Sequence, residues 1–128
     1  MEVVHHEASF PVCIVDADPA VRDSLASVID LHGLPVRCYA TGTQFLTETR
    51  RVLQVRSVIC DAQLPDLSGL DVYRKLVALG VTAPFALMVS RRSPILARMA
   101  EELGVEAVLA KPIVQPEMVL RFIDEPVH

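Results

Sequence analysis

Apolar residues fall into two alternating patterns along the chain. Val12-Cys13-Ile14-Val15, Ser57-Val58-Ile59-Cys60 and Phe85 to Val89 are short, nearly unbroken apolar runs, the mark of strands buried on both faces. Val36 to Tyr39 and Ala107 to Leu109 read as two further strands. Between the runs the apolar spacing changes to three and four. Val21, Leu25, Val28 and Ile29 share a helix face closed by Gly33, and Thr41 with Gln44 offers a capping box before Phe45 and Leu46. Ser68 is placed to cap a helix carrying Leu70, Tyr73 and Val77, which Gly80 stops. Ser93-Pro94 supplies a cap and a first-turn proline before Ile95, Met99 and Leu103, with Gly104 at the end, and Pro116 to Ile123 forms a last helix. Leu70, Tyr73, Met88 and Met99 are expected in the core. All nine prolines stand at element edges, where a missing N–H and a fixed φ are tolerated.

Five strand–helix pairs in strict alternation predict a parallel sheet with right-handed crossovers, hence an α/β three-layer sandwich. The 128 residues suit one core, expected over 12–125, with residues 1–11 as a flexible tail holding His5 and His6. Hydrophobic residues at 52% and charged ones at 22% exclude a disordered chain. The formal charge of −4 leaves no basic stripe for phosphate backbones, so no direct nucleic-acid binding is expected. No apolar run is long enough to span a bilayer and the N-terminus has no signal-peptide core, which together imply no membrane and a cytoplasmic location. Cys13, Cys38 and Cys60 are odd in number and far apart, unlike a disulfide framework or a zinc site.

In a parallel α/β sheet the chemistry gathers beyond the carboxyl ends of the strands. There the chain places Asp16, Ala17 and Asp18 after the first strand, Asp61 after the third, Ser90, Arg91 and Arg92 after the fourth, and Lys111-Pro112 after the fifth. Carboxylates with few other ligands suit Mg²⁺, which prefers oxygen and keeps several waters, and a lysine opposite them supplies a point charge to the same anion.

These residues resemble the receiver domains of two-component response regulators, nearest to the branch of the nitrogen-fixation regulators, over residues 12–124. Val58-Ile59-Cys60-Asp61-Ala62-Gln63-Leu64-Pro65-Asp66-Leu67-Ser68-Gly69 is similar to that family's phosphoacceptor strand and the D-x-x-[ML]-P-x-x-x-G turn after it. Asp16 resembles the first of the family's acidic pair, and Lys111-Pro112 its Lys-Pro, where the peptide bond is commonly cis. The resemblance implies a flavodoxin-like sheet of order 2-1-3-4-5. It also implies that Asp61 accepts a phosphoryl group from a histidine kinase and that Lys111 and Ser90 contact the phosphate. Mg²⁺ would be held by Asp16, Asp61 and the backbone carbonyl of Gln63. A sensor kinase or phosphotransfer protein, a homodimer through the fourth and fifth helices and fifth strand, and a DNA-binding output domain outside this chain complete the implied partners. The domain is a signalling module in this reading, not an enzyme.

Three positions depart from the family. Ala17 replaces its second carboxylate, with Asp18 one residue on as a substitute ligand. The hydroxyl position after the fourth strand falls on Val89 or Ser90, depending on the alignment. Val108 stands where the family has the aromatic residue of its switch. These departures favour a second reading, a phosphorylation-independent pseudo-receiver that acts by binding a partner protein. Arg91 and Arg92 read as a solvated pair or as phosphate ligands. Ile14-Val15-Asp16-Ala17-Asp18 also resembles the first motif of haloacid dehalogenase-like phosphatases, with Asp16 and Asp18 as nucleophile and acid/base. A flavodoxin shares the topology, but no Ser/Thr/Gly-rich phosphate loop follows the first strand.

Overall fold

A computed structural model describes residues 10–51, 54–90 and 93–124. Five strands, β1 (Val12–Val15), β2 (Val36–Tyr39), β3 (Ser57–Asp61), β4 (Phe85–Val89) and β5 (Ala107–Ala110), form one parallel sheet of order β2-β1-β3-β4-β5. Helices α1 (Pro19–Leu31), α2 (Gly42–Arg51), α3 (Gly69–Ala78), α4 (Pro94–Leu103) and α5 (Pro116–Asp124) alternate with them. The expected sandwich and strand order are both observed. Pro11 already belongs to the body, since its carbonyl accepts the Arg56 N–H at 2.9 Å. Most of the expected tail, and Arg91 and Arg92, lie outside the described residues.

The three central strands are buried throughout because both sheet faces are covered. Ile14, Ile59, Met88 and Leu109 point to the side of α1 and α5, where they meet Leu25, Ile29, Val119 and Ile123. Cys13, Val15, Val58, Cys60, Leu87 and Val89 point to the other side, against Phe45, Leu46, Leu70, Val72, Leu76 and Ala100. Burial takes the Cys13 thiol up to about 12, so it behaves as a small core hydrophobe.

One shared helix face and one core expectation are corrected. Val77 and Met99 are 55% and 40% exposed. The buried face of α3 runs through Leu70, Val72 and Leu76, and α4 buries only Ala100 fully. Both helices sit on the sheet a fraction of a turn away from the face their apolar spacing indicates. The caps form as expected: Ser68 Oγ accepts from Asp71 N–H at 3.0 Å and Ser93 Oγ from Leu96 N–H at 3.3 Å. Thr41 Oγ1 accepts from Gln44 N–H at 3.1 Å, while the Gln44 side chain reaches back to Ala40 N–H, one residue before the reciprocal partner of a capping box.

Candidate functional site

Strand alternation assembles the site. Two residues beyond Ile14, Ile59 and Leu109, the chain carries Asp16, Asp61 and Lys111, all on the α1/α5 side of the sheet by the same period of two. Val15 pairs with Cys60, so Asp16 and Asp61 emerge level with each other. Asp61 is level with Met88 and Met88 with Leu109, which starts Lys111 one pleat further along the edge. Its four-carbon stem reaches back over the pleat. Lys111 Nζ lies 2.9 Å from Asp16 Oδ2 and 3.1 Å from Asp61 Oδ2, bridging the two carboxylates.

The cluster is shielded. Asp16 and Asp61 are 1% and 7% exposed, and the lysine side chain 17%. Burial pulls the Lys111 ammonium down, but hydrogen bonds and charge from Asp16 and Asp61 outweigh it and hold its pKa above the ordinary 10.5. The remaining carboxylate oxygens take backbone N–H groups: Asp16 Oδ1 accepts from Asp18 N–H at 2.9 Å and Asp61 Oδ1 from Gln63 N–H at 3.2 Å. Two carboxylates against one ammonium leave one uncompensated negative charge.

The turn after Asp61 is clipped at its base. Leu64 N–H donates to Leu67 C=O at 3.2 Å and Gly69 N–H to Ala62 C=O at 2.8 Å, flanking a Gln63–Ser68 bridge. Those bonds use the Ala62 carbonyl and the Leu64 N–H, and leave the Gln63 carbonyl outside the pair. Gly69 closes the turn for a steric reason that spacing did not reveal. A Cβ there would stand 2.4 Å from the Asp61 carbonyl oxygen and 2.6 Å from Leu87 Cδ1.

The other expected residues separate into near and far. Val89 buries its side chain beside Leu87, on the face opposite the carboxylates. Ser90 is the first polar residue past β4; it is exposed, and level with Lys111 because Val89 pairs with Ala110. Asp18 does not join Asp16 and Asp61. Its carboxylate caps α1, accepting from Ala20 N–H at 2.9 Å. Arg22, on the first turn of α1, donates from its guanidinium to the Asp16 carbonyl at 2.7 Å, a contact absent from the sequence reading. The Lys111–Pro112 peptide is cis. Val108 is partly buried against the core and beside a surface cleft of about 450 Å³ lined by α4 and β5.

The donors fit a small hard cation. Each carboxylate oxygen uses one lone pair on a hydrogen bond and retains another, and the uncompensated charge is negative. Among the described residues no third Asp, Glu, His or Cys converges on the pair, so water would fill most of the coordination sphere.

Carboxylates bridged by a lysine at the carboxyl edge of a 2-1-3-4-5 sheet define a receiver-type signalling domain. The family model of the response regulator receiver domain matches residues 12–123, and the chain belongs to that family, the receivers of two-component signal transduction. Response regulator protein TmoT of Ectopseudomonas mendocina is 33% identical over 107 residues, covering 84% of this chain and 48% of TmoT. Transcriptional regulatory protein FixJ of Azorhizobium caulinodans is 33% identical over 104 residues, covering 81% and 49%. The chain thus spans about half the length of the curated relatives it matches. Among solved structures, a CheY-like receiver domain protein from Methanospirillum hungatei JF-1 superposes with a TM-score of 0.81 at 24% identity, over 90% of each chain. Chemotaxis response regulator CheY4 of Vibrio cholerae does so at 0.78 and 20%, over 88% and 94%. The phosphatase reading falls with this assignment, because Asp18 is spent on a helix cap.

Proposed function

We propose that Asp61 is the phosphoacceptor, taking a phosphoryl group from the phosphohistidine of a sensor kinase or phosphotransfer protein. The observation that carries the reading is the Lys111 bridge to Asp16 and Asp61 at 2.9 and 3.1 Å. An Asp61 carboxylate oxygen attacks phosphorus, the P–N bond breaks, and the electron pair leaves on the histidine nitrogen. The acyl phosphate gains negative charge at the point where Lys111 already stands, so this side chain can follow from carboxylate to phosphate without leaving the pocket. Ser90, level with Lys111, offers a hydroxyl to the same oxygens. Asp16, Asp61 and the Gln63 carbonyl would hold Mg²⁺, which supplies charge neutralisation to the transferring group. With Ala17 in place of a carboxylate, that hold rests on fewer charges than in the usual receiver, and the domain is atypical in that respect.

The reading implies a cytoplasmic protein. Among the described residues no helix is long and apolar enough to cross a membrane. The half-length match to TmoT and FixJ supports an output domain, of the DNA-binding kind, beyond this segment. The partly apolar face of α4, β5 and α5, with Ile95, Met99 and Met118 exposed, is in keeping with a homodimer. Ala17 and Val108 favour the second reading, a pseudo-receiver that binds its partner without phosphorylation.

One experiment separates the two. The protein is incubated with Mg²⁺ and acetyl phosphate and the intact chain is weighed. A phosphate adduct in wild type that vanishes in Asp61→Ala supports the phosphoacceptor; an unlabelled wild type, under conditions that label a typical receiver, supports the pseudo-receiver.

A further inference from the structure

The turn between Asp61 and α3 is fixed twice, and only its base is explained by its own hydrogen bonds. Its tip carries Asp66, whose carboxylate crosses to another element. Asp66 Oδ1 accepts from Gly42 N–H at 3.1 Å, and Oδ2 accepts from Thr43 N–H at 2.8 Å and from the Thr43 hydroxyl. A residue 24 positions away in sequence thus caps the first turn of α2, satisfying donors that no residue of α2 can reach. Burial of Asp66 is slight, and these bonds outweigh it to hold its carboxyl below the ordinary 3.8. Close packing accompanies these bonds at the same junction. A Cβ on Gly42 would come to 2.9 Å of Val72 Cγ2 and 3.1 Å of Leu67 Cδ1, so the start of α2 lies closely against both the turn and α3. Gly42 itself is buried.

We propose that Asp66 is a positioning residue of the phosphoacceptor site, and that the first turn of α2 is the buttress against which it holds the turn carrying Gln63. The proposal rests on the Asp61 reading and extends it to a helix that supplies no side chain to the pocket. The base of the turn hangs from the sheet through Ala62 N–H donating to Met88 C=O at 2.8 Å and is closed by the Gln63–Ser68 bridge. A turn held only at its base can pivot about that attachment. Fixing the tip at Asp66 removes the pivot and so sets where the Gln63 carbonyl stands relative to Asp16 and Asp61.

The test compares Asp66→Ala, Asp66→Asn and Thr43→Val with Ile29→Val, a core change on the opposite side of the sheet. Mg²⁺ is titrated into each ¹⁵N-labelled protein while the Ala62 and Gln63 amide resonances are followed, and the Mg²⁺ concentration for half-maximal labelling by acetyl phosphate is measured separately. Asp66→Ala should weaken Mg²⁺ by about tenfold in both readouts, the scale of losing a residue that orients a ligand. Asp66→Asn keeps one acceptor oxygen but turns an amide N–H toward a backbone donor, so it should fall between Asp66→Ala and wild type, and Thr43→Val, which removes only the hydroxyl contact, should lie nearest wild type. Ile29→Val should lower the melting temperature with no change in Mg²⁺ response. An Asp66→Ala protein that titrates like wild type overturns the proposal, as does an Ile29→Val protein that weakens as much. If Asp66→Ala does not fold, Asp66→Asn decides the matter by the same criterion. A wild type that shows the Mg²⁺-dependent Gln63 shift but accepts no phosphoryl group defeats the phosphoacceptor reading alone, because the titration still tests the positioning; a wild type whose Gln63 resonance ignores Mg²⁺ defeats the positioning.

Discussion

Replacing Lys111 by methionine tests the electrostatics of the pocket without changing its bulk greatly. In the wild type both carboxylates lie about 3 Å from Nζ, so their Oδ2 atoms are within about 6 Å of each other. At an effective dielectric of about 20, two unit negative charges at that distance repel by about 3 kcal/mol. Lys111→Met leaves that repulsion uncompensated and removes two charge-assisted hydrogen bonds, and breaking a buried pair in this way costs about 3–5 kcal/mol. For a domain of this size that is a fall of roughly 12–20 °C in melting temperature, at roughly 4 °C per kcal/mol. The diagnostic result is rescue. Adding Asp61→Asn to Lys111→Met removes one of the two like charges and should return about 2–3 kcal/mol of the loss. The assay is urea denaturation of the four members of the cycle at pH 7, low salt and without divalent ions. A double variant no more stable than Lys111→Met would refute the reasoning, since the carboxylates would then not be interacting through the lysine. Mg²⁺ added to Lys111→Met should recover stability in the same sense, by placing a cation where the ammonium stood.

Four further outcomes follow from the same geometry. The raised Lys111 pKa means that the stabilisation from its bridge is fully present below the unfolded value of 10.5 and is lost as pH rises through the folded value; alkaline melting curves of wild type should therefore fall more steeply there than those of Lys111→Met. Asp18→Ala should cost about 1 kcal/mol by denaturation, the loss of the α1 cap, with an unchanged Mg²⁺ titration. Gly69→Ala should destabilise by about 3 kcal/mol or more in the same assay, because a Cβ at 2.4 Å from the Asp61 carbonyl must displace backbone. Ala17→Asp should tighten Mg²⁺ by about tenfold in a calorimetric titration while lowering the melting temperature of the metal-free protein, since a third carboxylate joins a pocket already negative.

The sheet was legible because its central strands are apolar without interruption. Val12–Val15 and Phe85–Val89 have no polar position for solvent, so two covered faces, and hence alternating crossovers, were implied before any pairing was seen. Asp16, Asp61 and Lys111 were legible for a related reason: each is a charged residue directly following a run of that kind. Helix orientation was less accessible. Periodicity names a stripe but not which edge of it faces the sheet, and for α3 and α4 the stripe sits rotated, leaving Val77 and Met99 outside. Asp18 was ambiguous because a carboxylate before a first-turn proline suits a cap as well as a cation, and sequence contains no distance to decide between them. The Asp66–Gly42 junction gave still less signal. It joins a turn to a helix 24 residues away with no shared period, and its one trace was a glycine at the start of an otherwise ordinary helical segment.

Whether a charge added at Asp61 is felt elsewhere depends on which neighbours contact it differently before and after. The pocket commits Lys111 to two partners, so on the Asp61 reading a phosphoryl group there would draw the ammonium away from them and leave Asp16 with less compensation. Asp16 is not free to follow. Its Oδ1 is fixed by Asp18 N–H and its carbonyl by Arg22, both at the start of α1. The turn after Asp61 is equally restrained, at Met88 and at α2. Of the segments that border the pocket, the one leaving β4 has its first polar side chain, Ser90, exposed and level with Lys111. The start of α1, the turn after Asp61 and Val89 are thus held by hydrogen bonds or burial, whereas Ser90 is exposed. With valine at position 108, β5 presents only the small Ala107 and Val108 side chains to the surface cleft it forms with α4.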